Sequence, residues 1–534
     1  VFAQADFSNI ELPQNPRDLS DNLALDLEKA PSPAQLGNSD ENPNQAECFL
    51  GDESAAGDRH LVEKIIVEGN TVLHKQIEEV ISPYIGEELT SEERFCIASQ
   101  ITALYTDEEN SFITSGAFIP GPDFDQPIVY IQVSEGRLSE NGIQIAELKH
   151  INESFIRSRL ERAAQPPLNQ HRLEEALELL QLKSEFFKTI QANLIPGIND
   201  GENILKIVAT ERPPFKLTLS ASNSRPPNLG EWESSIQARY DNLLGIGDRL
   251  SANYGITEGL DTYSLNYQLP FNARDGSINL SYSKNDSEII SQNFRDLGIR
   301  SNSKNFSIGI QQPLSQSPTQ SLAIGLDFDL RRSQSYILDD IPFSFSIGPE
   351  NGASKVSALR FSQDWYQRNQ YRIFAAKSQF SFGLNAFDAT INERRADPDG
   401  EFFKWLGQFQ YIQQLSDSNI ALITQINTQL TPDSLLSLEQ FSVGGFGTVR
   451  GYSQNYLTAD NGINLSLELR VPVSSNFTLR PFFEAATVWS SAVSNAETQR
   501  IASIGLGMTW NPISNLSFAL DYGVPLTTVS SNSN

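Results

Sequence analysis

No run of about eighteen apolar residues occurs in the sequence, so no transmembrane helix is expected. Cations are scarce: 39 Lys and Arg face 66 Asp and Glu, a net charge of −27, which argues against nucleic-acid binding. The four histidines, His60, His74, His150 and His171, all lie in the first third and form neither a metal-site spacing nor a nucleophile–base pair. No Gly-rich loop carries Lys and Ser/Thr for a phosphate, so no ATP site is expected. Neither a metal nor a cofactor is expected, and acidic residues scattered over strands without a base or nucleophile argue against an enzyme. Only two cysteines are present, Cys48 and Cys96, candidates for a disulfide in an oxidising compartment. None of these absences excludes a β-barrel, whose lipid face needs an apolar residue only at every second position.

What is present is a chain of 534 residues, enough for several domains. It begins "VFAQADF", where Ala3-Gln4-Ala5 is similar to the tail of a signal-peptide cleavage site; a chance match is the alternative. Residues 1–60 hold twelve acidic and three basic residues and read as an acidic tail or linker. Within it, Ser20–Ala30 reads either as a short helix capped by Ser20 or as part of a solvated tail. Residues 61–212 read as two α+β modules, 61–135 and 136–212, each in the order β-α-α-β-β. Asn152 and Asn169 are candidate helix N-caps, and Ile97, Ala98, Ile101, Leu104 and Tyr105 keep the spacing of a buried helical stripe. The strands near 111–119 and 187–195 are candidate sheet edges.

Residues 213–534 change to period two. In "INLSLELRV", Ile463, Leu465, Leu467, Leu469 and Val471 fall opposite Asn464, Ser466, Glu468 and Arg470. Fifteen such strands are legible. From the fifth onward, long connections near 285–302, 333–353, 385–399 and 431–460 alternate with short ones near 314–318, 367–370, 414–417 and 472–475. Short turns on one side and long loops on the other mark an outer-membrane barrel, which closes so that lipid meets no unpaired edge. Such barrels have an even strand number, so sixteen are expected. Either a sixteenth lies outside this sequence, or one within 333–353 escapes the pattern. Loop 431–460 carries "GGFGTVRGYSQN", in which Gly444, Gly445, Gly447 and Gly451 surround one cation, Arg450. Those glycines permit positive φ and a close approach to a wall.

These residues resemble a known family. "LSLEQFSVGGFGTVRGY", centred on Val449-Arg450-Gly451-Tyr452, is similar to the signature of the two-partner secretion transporters of the POTRA–β-barrel superfamily. "FITSGAFIPGPDF" and "VSEGRL" resemble that family's POTRA module, with Pro122 where many members have Gln. The resemblance spans roughly residues 48–524. It implies two periplasmic POTRA modules, an outer-membrane barrel over 213–534, and an inward-folded loop. Relatives carry aromatic-x-Asp before a Gly on a strand after that loop. "PFFEAATVW" matches with Phe482 and Glu484, but has Glu for Asp and Ala486 for Gly.

Alternation along "TLRPFFEAATVW" places Thr478, Arg480, Phe482 and Glu484 on the polar face. A lone charge near a partly dry wall requires a partner, and Arg450 has the planar fork for a carboxylate. Glu484, Glu468 or both, each on a polar face, receive it. Arg480 competes poorly for Glu484, because four residues along a strand is about 13 Å. The expected role is a latch that holds the loop tip inside the channel. By the resemblance, the chain captures an unfolded β-helical exoprotein (an adhesin or haemolysin) at its modules. It then secretes that partner as a monomer in outer-membrane lipid, without ATP. A barrel-assembly factor and a passive porin are the alternatives.

Overall fold

The computed structural model describes residues 58–121, 126–146, 148–183, 185–393, 397–415, 420–491 and 498–527; Ser20–Ala30, Cys48 and Pro122 lie outside them. Two compact units meet in sequence at Pro213–Pro214.

The first unit contains β1 (His60–Leu61), β2 (Lys64–Glu68), α1 (His74–Ile81), β3 (Glu88–Leu89), α2 (Ser91–Thr106), β4 (Gly116–Phe118) and β5 (Ile128–Ser134). It continues with β6 (Arg137–Ala146), α3 (Glu153–Ala163), α4 (Gln170–Gln181), β7 (Phe187–Pro196) and β8 (Glu202–Glu211). Two three-stranded sheets result, β2-β5-β4 and β6-β8-β7, with identical topology. In each, the first and last strands of the repeat pair in parallel and the middle one antiparallel. The strands expected near 111–119 and 187–195 give β4 and β7, and both are sheet edges.

Local chemistry sets the helix limits. Thr90 caps α2 by accepting the Glu93 N–H at 3.2 Å, while the Glu93 carboxylate accepts the Thr90 N–H at 2.8 Å. Ile97, Ala98, Ile101 and Tyr105 are buried, whereas Leu104 is only half-buried. The helix stops at Thr106, because the Asp107 side chain accepts the Asn110 N–H at 2.7 Å and offers the backbone a turn instead. Asn169 caps α4 by accepting the Arg172 N–H at 2.9 Å; Asn152 occupies the cap position of α3 without a side-chain capping bond.

The strand expected over 111–119 shrinks to three residues for a tertiary reason. Its first half docks on the second repeat instead: Ile113 N–H donates to Leu168 O at 3.0 Å and Gln170 N–H to Ser111 O at 2.9 Å. Asn203 Nδ2 donates to Thr114 Oγ1 at 2.6 Å, so the two repeats interlock through backbone and side chains. Glu135, from the "VSEG" segment, holds the first repeat together. Its carboxylate accepts Thr71 N at 2.7 Å, Thr71 Oγ1 at 2.6 Å and Tyr105 Oη at 2.9 Å. Burial, with Glu135 beside it, pushes the Tyr105 hydroxyl above its ordinary range. Cys96 on α2 is disulfide-bonded.

The second unit is one large antiparallel sheet. Its strands are β9 (Phe215–Ser222), β10 (Glu233–Asp241), β11 (Arg249–Ile256), β12 (Leu260–Pro270), β13 (Ser277–Glu288), β14 (Arg300–Gln316), β15 (Gln320–Ile337) and β16 (Ile341–Pro342). They continue as β17 (Ala353–Arg368), β18 (Arg372–Gly383), β19 (Phe403–Gln414) and β20 (Ala421–Leu430). The hairpin β21 (Phe441–Val443) and β22 (Leu457–Ala459) interrupts the meander. β23 (Asn461–Ser474), β24 (Phe477–Trp489), β25 (Gln499–Ile513) and β26 (Leu516–Pro525) complete it. Each long strand pairs with the next, from β9 to β26, fifteen in one path. The segment 333–353 supplies only the two-residue β16, a hairpin arm on β15 that makes a sixteenth member of the sheet off the path. No pairing of β9 with β26 is present among the described residues.

Burial runs inside-out. On β25 the polar-side Ser503 is 0% exposed while its neighbours Ile504 and Leu506 are 52% and 46% exposed; on β26 Leu520 and Tyr522 are exposed too. Aromatic residues stand near both ends of this apolar face, and others, such as Tyr282, Phe361 and Phe483, at its middle. Phe382, Phe403, Trp405 and Trp489 lie near the end bearing the long loops. Trp365, Phe477, Trp510 and Phe518 lie near the end bearing the short turns. The polar face curls around loop 431–460. A cavity of about 210 Å³ is lined together by Arg225 from the β9–β10 connection, by Leu260, Ser303 and Ser354 from the earlier strands and by Ser437 and Asn455 from the loop.

Candidate functional site

The site is the tip of the loop between β20 and β23, laid on the polar face of the last strands. Positive φ at Gly444 and Gly445 (108° and 88°) lets the chain leave β21, a conformation that a side chain would strain. Gly447 is not among the positive-φ glycines, which corrects the expectation that all four surrounding glycines serve that purpose. Gly451 has a φ of 96° and also permits contact: a Cβ there would stand 2.8 Å from Gly523 O on β26. Conversely, a Cβ at Gly523 would stand 2.7 Å from the Arg450 carbonyl carbon. The loop and the wall thus touch backbone to backbone at Arg450–Gly451.

Val449 is fully buried, in a cluster with Val443, Leu457, Ala486, Val488 and Ile501. That cluster orients Arg450 toward the wall. Arg450 Nε donates to Glu484 Oε1 at 2.8 Å, Nη2 lies 2.6 Å from the same oxygen, and the Arg450 backbone N–H donates to Glu484 Oε2 at 2.6 Å. Nη1 donates to Glu468 Oε2 at 3.0 Å and to Asp521 Oδ1 at 2.6 Å. The guanidinium carbon stacks 3.2 Å from the centroid of the Phe482 ring. Phe482 itself fits because residue 505 is glycine; a Cβ there would stand 2.2 Å from its ring. Tyr452 Oη donates to Thr527 O at 2.6 Å and stands 3.0 Å from Ala502 O, a second acceptor for the same proton, which places the tip against β25 and the segment after β26.

The structure therefore brings Arg450 to both carboxylates between which the sequence left a choice. It adds a third, Asp521, that the sequence reading missed. The signal was available in "LSFALDYGV", where Asp521 alternates with Leu520 and Tyr522 and so faces the polar side. Arg480 does not reach Glu484 in the same manner; its Nη2 donates to Asp521 at 3.1 Å and its Nη1 stands 3.7 Å from Glu468. Arg450, Arg470 and Arg480 thus meet Glu468, Glu484 and Asp521, three cations against three anions. A buried cation with that many acceptors is fixed in position and poorly suited to binding a passing solute.

Residues 201–510 match the family model described as haemolysin secretion/activation protein ShlB/FhaC/HecB, and residues 60–136 match a POTRA domain of ShlB type. Among curated proteins, the outer membrane transporter CdiB of Dickeya dadantii (strain 3937) is 23% identical over 450 residues, 78% of this chain and 77% of that protein. The transporter of the same name from Escherichia coli O6:K15:H31 is 22% identical over 420 residues, 76% of this chain and 68% of that protein. Among solved structures, CdiB from Escherichia coli superposes with a TM-score of 0.68 at 20% identity, covering 97% of this chain and 92% of that one. BamA from Haemophilus ducreyi lacking POTRA domains 1-3 gives 0.51 at 15% identity, covering 89% of this chain and 97% of that one, a likeness of fold.

Proposed function

Because the chain belongs to the haemolysin secretion/activation family of ShlB, FhaC and HecB, we propose that it secretes a partner exoprotein through its barrel, with loop 431–460 as the gate. It is an outer-membrane transporter of the two-partner secretion type, and its POTRA region stands in the periplasm. The sheet is read as a closed barrel. Its height suits the role: β24 from Phe477 to Trp489 runs about 40 Å at about 3.3 Å per residue, and a tilt of about 40° makes that about 30 Å. The aromatic residues at its two ends then lie at the two membrane surfaces.

Residues 136–212 are read as a second POTRA module, on the strength of the topology they share with 61–135. The free edges of β4 and β7 suit capture of an unfolded exoprotein by strand addition. The transporter works as a monomer and without ATP, drawing on folding of the exported chain outside the cell. The assembly-factor and porin alternatives rest on less: the likeness to BamA is one of fold, and a passive pore has no use for two periplasmic modules.

The observation that carries the gating reading is Arg450, 3% exposed and shared among Glu484, Glu468 and Asp521. The test is secretion by Arg450→Ala. The expected result is a barrel that still inserts, with normal heat-modifiable mobility, and secretes far less of its partner. Full secretion by that variant would count decisively against the latch.

A further inference from the structure

The same loop carries a second buried charge, of opposite sign, near its base. Glu439 precedes β21, and its side chain is 0% exposed. Arg360 Nη2 donates to Glu439 Oε1 at 2.7 Å, Arg331 Nη1 lies 3.1 Å from that oxygen, and Lys404 Nζ pairs with the other. These cations come from β17, β15 and β19, a different stretch of wall from the one that holds Arg450. The backbone joins in: Leu438 O accepts from Arg331 Nη1 at 3.1 Å, and Glu439 O accepts from Lys404 Nζ at 3.1 Å and from Gln429 Nε2 at 2.9 Å.

Three further observations separate this base from the tip. Leu435, Leu436 and Leu438 bury themselves against Val356, Ala358 and Phe402, a cluster distinct from the one around Val449. Asp460, at the far end of the hairpin, accepts Leu435 N and Ser491 N at 3.0 Å and Gln440 Nε2 at 3.1 Å, so the two arms are tied together below the hairpin. Between Glu439 and Arg450 stand Gly444 and Gly445, both at positive φ.

The charges of this wall balance only with the loop in place. Arg331 and Arg360 pair with Asp329 and Lys377 with Asp364, Asp327 is the cross-strand partner of Arg360, and Lys404 pairs with Glu439 of the loop. Four cations thus face three wall carboxylates, and Glu439 is the fourth anion. Taking Glu439 away leaves a buried surplus cation, which is strongly unfavourable in a partly dry wall.

We propose that Glu439 is a positioning residue that fixes the base of the loop, so that the gate opens by the tip swinging about Gly444–Gly445 rather than by withdrawal of the whole loop. The proposal rests on the reading of Arg450 as the latch of the tip, and it assigns the two opposite charges different tasks.

Hydrogen–deuterium exchange on the full-length protein in detergent micelles tests it, comparing base peptides (431–443) with tip peptides (444–456). Arg450→Ala is expected to speed exchange in the tip alone. Glu439→Gln is expected to speed exchange in the base by about tenfold or more, as an opened local unit would, with heat-modifiable mobility unchanged. Glu439→Asp, which keeps the charge, is expected to recover most of the protection. Should Glu439→Gln fail to insert, Lys404→Met reads the same anchor with two of its three cations left. Unchanged base exchange in Glu439→Gln or Lys404→Met overturns the anchor, as does an Arg450→Ala variant in which base and tip open together. Failure of the latch itself appears separately, as full secretion by Arg450→Ala.

Discussion

Three carboxylates share Arg450, and the geometry ranks them. Glu484→Ala removes the acceptor of Arg450 Nε (2.8 Å), of its backbone N–H (2.6 Å) and of the Nη2 ion pair (2.6 Å). Breaking a buried pair from one side costs about 3–5 kcal/mol. Because Glu468 and Asp521 stay to compensate the cation, the lower figure applies. At about 1.4 kcal/mol per tenfold, about 3 kcal/mol multiplies the undocked population of the loop about a hundredfold. Glu468→Ala removes one bond to Arg450 at 3.0 Å, from an Nη1 that still donates to Asp521 at 2.6 Å, and two longer ion pairs, to Arg470 at 3.6 Å and Arg480 at 3.7 Å, that do not hold the loop. A single hydrogen bond to a charged group is worth about 1.5–3 kcal/mol, and the remaining partner brings the loss near or below the bottom of that range. Asp521→Ala falls between, since Arg480 loses its 3.1 Å partner as well. Single-channel recording in planar bilayers is the assay, with the fraction of time spent in the large-conductance state as the readout. The expected order of opening is Glu484→Ala, then Asp521→Ala, then Glu468→Ala. An effect of Glu468→Ala equal to or larger than that of Glu484→Ala refutes the ranking, and three silent variants refute the docking of the loop as the closed state.

Gly523→Val alters no charge, yet its Cβ would stand 2.7 Å from the Arg450 carbonyl carbon; the tip is expected to lift, with conductance changing in the same direction as in Glu484→Ala. In the periplasmic unit, Glu211 accepts the backbone N–H groups of Lys149 (3.1 Å), His150 (3.1 Å) and Ile151 (2.9 Å) just before α3. Burial raises its pKa, but those bonds outweigh it and hold the carboxyl below the ordinary value of 4.5. A lowered folded-state pKa contributes stability that is complete above 4.5 and is lost as pH falls through the folded value. Glu211→Ala is therefore expected to destabilise the second repeat by about 1–3 kcal/mol at pH 7 and to flatten its loss of stability below pH 4.5, both measurable by thermal denaturation monitored by circular dichroism.

The strands of the large sheet were legible because lipid enforces alternation at every position, and each expected strand overlaps one found in the structure. Their ends were less so. β13, β14 and β15 run on to Glu288, Gln316 and Ile337, because polar residues continue the ladder past the apolar stripe. In the periplasmic repeats the helical stripes were equally clear. What failed was the strand over 111–119, whose backbone turns away to meet the second repeat, a tertiary demand with no local signature. The positive φ at Ser111 and Thr114 belongs to that turn, and neither residue type announces it.

The site divides along the same line. Period two states whether a side chain faces the lumen, so Glu468 and Glu484 were both open to Arg450. It does not state how far each strand is staggered past the next, and the stagger decides which inward charges meet. The register fixes it here: Ser466 lies opposite Glu484 and Glu468 opposite Phe482, which sets the two carboxylates one step apart on neighbouring strands. Asp521 belongs to β26, two strands beyond β24, and pairs with Gly507, whose missing side chain opens the way from Arg480 and Arg450 to Asp521. Glu439 was passed over for a related reason. It stands in "LSLEQF", a stretch with no regular period to state which way its side chain faces. Its burial becomes intelligible only when Arg331, Arg360 and Lys404, from three strands far apart in sequence, converge on it. A charge in such a loop is therefore read correctly only by asking what the wall lacks. The earlier wall is short of one anion and the later wall of one cation, and the loop supplies both in the order in which it passes them.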